Sequence, residues 1–331
     1  MSYCVRDVLQ ALDELSGGRC VKTSADWSKN PFVVTKSSDI PGKAVTETPG
    51  LVWGDPDMPV KKIAVMMTLT ESAIELAAAT GVNAMVAHHP IADAANSGGV
   101  LIKYYLGIYG LAAFELHEAF HGLHPGIAYL HGHKPFYVNV AYDSIPGNIV
   151  YLGDALPEIH TVGDMIDRLD KLMHVSVAEQ MLEAEKTIRN CCDIAETSLA
   201  ARCRILVGKR ENPMKRVIHM FPHTGFTAKH LETLVKENPD MDTLIASISR
   251  VYPGHELIAK ADELGLNFVC GNSHALEIFE NGLPLAYALK MHLPEAEIVI
   301  FRERVTSTPV EQFGSPEIKE YAKTMASTYL K

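Results

Sequence analysis

The 331-residue sequence lacks the common signatures of phosphate binding and of serine chemistry. It has no GxGxxG and no GxxxxGK followed by Ser or Thr, so nothing supports a nucleotide cradle built on a glycine loop. The turn-like NSGG at 96–99 reads as a plain turn before it reads as an anion site. No GxSxG nucleophile elbow occurs. The six cysteines (Cys4, Cys20, Cys191, Cys192, Cys203 and Cys270) form no CxxC pair, which removes a thioredoxin-type motif and a cysteine zinc knuckle. They read as reduced, buried thiols of a cytoplasmic protein. There is no apolar run of about 18 residues that would span a membrane, and no low-complexity tract or long charge run. The opening MSYCVRDVLQALDEL reads as an amphipathic helix with acidic residues rather than as a signal peptide. A formal net charge of −10 argues against a broad nucleic-acid footprint.

What the sequence does have is a globular hydrophobic content of 47% and fifteen histidines, several of them clustered. KKIAVMMTLT reads as a strand and TESAIELAAATG as a helix capped by Thr70 and stopped at Gly81. VNAMVAHHP then reads as a second strand, which completes a βαβ unit. A helix over GVLIKYYLGIYG follows, and LAAFELHEAFHG is either a strand leading into a turn or a further short helix. The interval from about Ala128 to Ile149 reads as loop. HTVGDMIDRLDKLMHV opens a second half, and periodicity weakens from there until about Lys215. KRVIHMFPHTG, MDTLIASIS and LNFVCGNSH then read as strands alternating with the helices FTAKHLETLVKEN and GHELIAKADELG. ALEIFENGLPLAYALKMHL looks helical, and EIVIFRERV is a terminal strand. These alternating units predict an α/β fold of two similar halves, residues 1–145 and 146–331.

Four groups of residues could ligate a metal. His88 and His89 end a buried strand, where open α/β sheets place their ligands. Neighbouring strand residues point to opposite faces, so both could reach one metal only if the chain turns there, and Pro90 favours a turn. Alone, such a pair is more often one core and one surface histidine. His117 and His121 are four apart, on one face if the stretch is helical. Their HEAFH also spells the HExxH of zinc peptidases, with Glu118 in the place of the general base. Gly122 and His124-Pro125-Gly126 break a helix at once, which leaves a zincin-type peptidase as a lesser alternative. His274 and Glu277 are three apart just after a strand, and a carboxylate there could bridge two mutually repelling ions. The last group is looser: His223, His255, and the loop histidines His124, His131 and His133, several of which read as solvated or structural. Without thiolates, His and carboxylate ligands suit Zn, Fe, Mn, Co or Ni.

The succession Ala25-Asp26-Trp27, then AHHP at Ala87–Pro90, ELHEAFHG and finally CGNSHALE resembles the Nif-three-like dinuclear metal-centre family, also known as homologues of type-two GTP cyclohydrolase. The resemblance runs from about Asp7 to Phe301, and HHP after a strand is its most specific piece. It implies two similar α/β domains with a metal site in the cleft between them, and a toroidal homo-hexamer. In the family, two adjacent histidines, an Asp in an H-T-x-x-D motif and a C-terminal His and Glu bind two metal ions. His88 and His89 match directly. The H-T-x-x-D motif falls on His117 to His121, so that His121 takes the Asp position and Glu118 the Thr position. Glu277 matches the C-terminal carboxylate, which puts the family's histidine on Ser273, with His274 one residue later as the substitute.

The resulting expectation is a metal-dependent hydrolase. Two divalent ions held by His88, His89, His117, His121, His274 and Glu277 would activate water against a small-molecule cyclic amide, amidine or ester. Glu118 or His124 would serve as proton shuttle. A metal-binding or cofactor-assembly protein without turnover is the alternative. The expected partners are a small-molecule substrate and further copies of the chain, with neither nucleic acid nor membrane.

Overall fold

The computed structural model describes residues 3–37, 44–91, 102–145, 147–221, 225–247 and 251–330. His223 and the NSGG turn lie outside the described residues. Two sheets organise the chain. The first takes β1 (Gly50–Trp53), β2 (Lys62–Met66), β3 (Ala84–Ala87), β4 (Ala112–Glu115) and β11 (Glu297–Phe301) in the spatial order β11-β2-β3-β4-β1. The second takes β5 (His133–Asn139), β6 (Val150–Ala155), β7 (Arg204–Val207), β8 (Arg216–Met220), β9 (Thr243–Ala246) and β10 (Asn267–Cys270) in the order β7-β10-β9-β8-β6-β5. Each has a parallel centre, β11-β2-β3-β4 with antiparallel β1 on one side, and β8-β9-β10 with antiparallel strands on both. The α/β class expected from the alternating pattern is the observed one.

The parallel strands are apolar on both faces because helices cover both. In β2, Ile63 and Val65 face one core while Ala64 and Met66 face another, the period-two alternation of a strand. The first core is closed by α1 (Val5–Leu15) and by α8 (Leu283–His292), through Val8, Leu12, Leu285 and Leu289. The other is closed by α2 (Glu71–Ala79) and α3 (Ile102–Tyr109), through Ile74 and Leu106. In the second sheet, α6 (Ala228–Glu237) and α7 (Glu256–Glu263) cover Ile218, Leu244 and Phe268. The opposite face packs Val217, Ile245 and Val269 on α4 (Val162–Leu172), after which α5 runs over Val175–Arg189. Truncating a fully buried Ile74 or Phe268 to Ala removes about 2–5 kcal/mol.

Local signals read from sequence carry over. Thr70 caps α2, its hydroxyl accepting from the Ala73 N–H at 3.2 Å, and Gly81 follows the helix at φ +73°, where a side chain would be strained. Two strands depart from the expected division at 145/146. β5 lies in the stretch read as loop, yet pairs with β6 in the second sheet. It is an edge strand, where Pro135 is tolerated and outward residues need not be apolar. β11 comes from the far end of the chain and pairs with β2 in the first sheet, Phe301 opposite Met66. A cut at 145/146 would therefore separate each of these strands from the sheet it completes.

No helix among the described residues is long and apolar enough to cross a membrane.

Candidate metal centre

Strand ends bring the site together. Beyond β3 the chain bends at His88 and His89, whose N–H groups donate to the carbonyls of Met66 (3.0 Å) and Met67 (2.8 Å). Strand alternation still holds through the bend and sends the two rings to different groups. His88 gathers with His117 and His121, and His89 with His274 and Glu277, each group having its ligand atoms within 4.8 Å of one another. The chain does turn there, and the rings of the pair, 5.5 Å apart, serve two adjacent groups. A third group, Glu47, His117 and Glu118, shares His117 with the first.

HEAFH is not a helix. After β4 the chain makes a turn in which the Phe120 and His121 N–H groups donate to the His117 carbonyl at 2.8 and 3.2 Å. That single turn keeps the rings of His117 and His121 4.6 Å apart. The long uninterrupted helix of a zincin is absent, because Gly122 adopts φ +75° and ends the turn.

The far nitrogens of the imidazoles are held from behind. His88 Nδ1 faces the Leu116 carbonyl at 3.0 Å, an acceptor only, so Nδ1 carries the hydrogen and Nε2 presents a lone pair. Complete burial holds this ring neutral, its pKa lowered to about 3. His121 Nδ1 donates to Glu118 Oε2 at 3.1 Å, and its Nε2 is buried without a hydrogen-bond partner. An orphaned buried nitrogen is costly unless something binds it. Here it belongs to the group that already contains the His88 lone pair, so the residues present fit a divalent ion. His117 Nδ1 lies 3.1 Å from Glu47 Oε1. His89 joins Thr68 Oγ1 at 3.2 Å through Nδ1.

Glu277 stands between the groups on the short helix His274–Glu277 that follows β10. Its Oε2 lies 3.0 Å from His89 Nε2 and 2.8 Å from His274 Nδ1, and its Oε1 lies 3.5 Å from His88 Nε2. Burial alone would raise its pKa, yet His89, His274 and His88 together hold it well below the ordinary carboxylate value. A five-residue π-turn, Ile278–Gly282, then swings Asn281 back, so that its Nδ2 lies 3.1 Å from Glu277 Oε1 and 3.3 Å from His88 Nε2. Glu277 and His88 are sealed, whereas the His274 side chain is 36% and the His89 side chain 14% exposed. Solvent therefore reaches the centre from the His274 side.

All six residues proposed as ligands from sequence, His88, His89, His117, His121, His274 and Glu277, meet here. Ser273 sits beside them with a buried hydroxyl that has no hydrogen-bond partner, while the His274 ring does reach Glu277. Glu118 faces His121 and, at 3.9 Å, His117. His124 does not join any of the groups. Its Nδ1 accepts from the Gly126 N–H at 3.1 Å, its ring packs on Phe120, and burial lowers its pKa. His255 likewise caps α7, accepting from the Leu257 N–H. Sequence reasoning missed Glu47 and Asn281. For Asn281 the i,i+4 spacing from Glu277 was a usable signal, but for Glu47 there was none. His131 and His133 are buried in a separate cluster with His219.

Comparison with known proteins agrees with this picture. Residues 33–95, which include the histidine pair, match the model of the Duf34/NIF3 family (NGG1p interacting factor 3). No curated protein matches the sequence. Among solved structures, reduced HcgD from Methanocaldococcus jannaschii superposes with a TM-score of 0.55 at 16% identity, covering 91% of this chain and 98% of its own. A NIF3-related protein of Bacillus cereus gives 0.54 at 11%, over 91% and 97%. Staphylococcus aureus protein SA1388 gives 0.53 at 14%, over 90% and 96%. At such identities the likeness speaks for the fold. Residues 33–95 thus carry the Duf34/NIF3 match, and over the rest of the chain the likeness is one of fold.

Proposed function

We propose that this protein is a metal-dependent hydrolase whose centre holds two divalent transition-metal ions, of the Zn, Fe, Mn, Co or Ni type, and acts on a small-molecule substrate. The observation that carries the reading is the convergence of His88, His117 and His121 beside His89, His274 and Glu277, with the His121 Nε2 left unpartnered in the protein interior. Ions bound there would supply a Lewis acid and a water of lowered pKa. The protein's own part is orientation. The Leu116 carbonyl and Glu118 fix which nitrogen His88 and His121 present, as outer partners of metal-binding histidines do. Glu277 spans both groups, where a carboxylate offsets the mutual repulsion of two cations. Glu118, already accepting one hydrogen bond from the histidine turn, is the group placed to take a proton at its other oxygen. His124 is held in a helix-entry turn and is a poorer shuttle. Substrate enters on the exposed His274 side.

Elemental analysis of the purified protein and of the His88→Ala and Glu277→Ala variants tests the reading. Bound transition metal in the parent and reduced content in both variants supports it. Absence of metal, or unchanged content in the variants, removes it. A screen of cyclic amides, amidines and esters with the reloaded protein then separates turnover from stoichiometric binding, the outcome that would favour a carrier.

A further inference from the structure

Behind the histidine turn lies a cavity of about 710 Å³ that the metal chemistry does not use. Its walls include Gly17, Gly18, Arg19, Lys29, Asn30 and Phe32. The two glycines turn the chain after α1 at φ +68° and +83°, conformations that side chains resist, and deliver Arg19 to the cavity wall. The Arg19 guanidinium lies over the Phe32 ring at 4.6 Å. Its Nη1 donates to the carbonyls of Ala119 at 3.1 Å and His121 at 3.4 Å. A guanidinium has five N–H donors in a rigid fork, and those on Nε and Nη2 have no protein partner among the described residues. No carboxylate pairs with Arg19 or with the exposed Lys29 among the described residues either. Two further charged side chains line the space, and both have partners. Asp26 accepts from the Thr23 N–H and hydroxyl, and Lys22 is paired with Asp13. Two cations that no carboxylate among the described residues pairs with, one of them stacked and held in a fixed plane, therefore face the same space, with the Asp26 carboxylate on the same wall engaged by Thr23.

We propose that this cavity is an anion site for a phosphate- or carboxylate-bearing small molecule, and that Arg19 couples its occupancy to the turn carrying His121. An oxyanion engaging the free edge of the fork takes a bidentate grip that Lys cannot reproduce. The same guanidinium then holds the two carbonyls of the turn from the other side. The coupling rests on the reading of His88, His117 and His121 as a metal group, whereas the anion site does not. Linkage is reciprocal, so an anion that tightens metal binding is itself bound more tightly when the metal is present.

Calorimetric titration of the metal-free protein with inorganic phosphate, and separately with succinate, tests the site. Saturable binding of at least one anion, weakened about tenfold or more in both Arg19→Met and Lys29→Met, is the expected result, a factor of ten corresponding to about 1.4 kcal/mol. The tighter of the two anions names the source. No saturable binding, or binding in both variants as tight as in the parent, overturns the site. Lys29 is exposed, so its variant keeps the test intact if Arg19→Met disturbs the turn. Because no metal is present, failure here leaves the proposed hydrolase standing, and failure of metal loading leaves this binding standing. Zn affinity measured with and without the anion reads the coupling. A shift of about fivefold or more in the parent, reduced in Lys29→Met, supports it, and an unchanged affinity in the parent removes it.

Discussion

Two clusters of imidazoles stand out among the described residues, and candidate metal-ligand groups form in one of them. In the first, His88, His89, His117, His121 and His274 are interleaved with Glu47, Glu118 and Glu277. In the second, His131, His133 and His219 are fully buried against Tyr151 and Phe221, and no carboxylate touches them among the described residues. There two of the rings bond each other: His133 Nε2 meets His219 Nδ1 at 3.0 Å, and His219 Nε2 meets Ser247 Oγ, while His131 Nε2 and His133 Nδ1 are buried without a hydrogen-bond partner among the described residues. His131 Nδ1 lies 2.8 Å from the Ile127 carbonyl. Burial lowers the pKa of His131 to about 4 and of His133 to about 3, so these are neutral packing groups. Burial and number of histidines do not distinguish a ligand set from a core network. What distinguishes them is the carboxylates set among the rings of the first, Glu118 behind His121 and Glu277 between His88, His89 and His274.

The strongest way to break this comparison is to remove one member of each cluster. Glu277→Ala should lower metal affinity by more than about 100-fold, beyond what outer partners usually contribute. His219→Leu should leave metal content unchanged and lower the melting temperature, stranding His133 and Ser247 at about 1–3 kcal/mol each. Metal loss in the second variant would mean that the clusters are coupled. Glu118→Gln, which keeps the shape and removes the charge behind His121, should weaken metal binding by about 10–100-fold, read by competition with a chelator.

Acid affects both clusters. The unfolded chain protonates His88, His131 and His133 below about 6.5, whereas the folded chain holds them neutral down to about 3 to 4. The unfolded state therefore binds more protons in that window, and stability falls as pH drops through it, by up to about 1.4 kcal/mol per pH unit for each group. Denaturant titrations of metal-free protein at pH 7 and pH 5 read the effect. A flat profile would contradict the neutral assignment. The smallest effect concerns Glu280, buried in the π-turn with Asn272 Nδ2 donating to it at 3.1 Å, its pKa raised by burial to about 8 from 4.5. Unfolded, this acid loses its proton near 4.5, while the folded protein keeps it up to about 8, so stability falls as pH rises across that range. Glu280→Gln should flatten this decline and stabilise the protein at pH 8, and a steeper decline would refute the assignment.

Much of this was legible in the sequence where the signal was local. The unit from β2 to β3 announced itself through alternation, the Thr70 cap and Gly81. The histidine pair stood out because it closes an apolar strand. LAAFELHEAFHG reads as either a strand leading into a turn or a short helix, and the first is what forms, one turn bringing residues four apart together as well as a helix does. What stayed hidden was non-local. Glu47 reaches His117 from a segment with no periodic pattern, and β5 hid behind Pro135 because an edge strand tolerates what a central one does not. That β11 would cross back to β2 is a matter of pairing partners, which hydrophobic pattern does not specify.

That returning strand has a consequence for how the protein is made. Until β11 leaves the ribosome, β2 has one bare edge, with Ile63, Val65 and their unpaired backbone groups offered to any passing strand. At about 5–20 residues per second, the wait between the synthesis of Met66 and of its neighbour Phe301 is roughly ten to fifty seconds. For most of it His88 and His89 are present without Glu277, so the nascent chain passes through a stage in which only part of the proposed ligand set exists. Molecular chaperones and the timing of metal delivery would act in that interval.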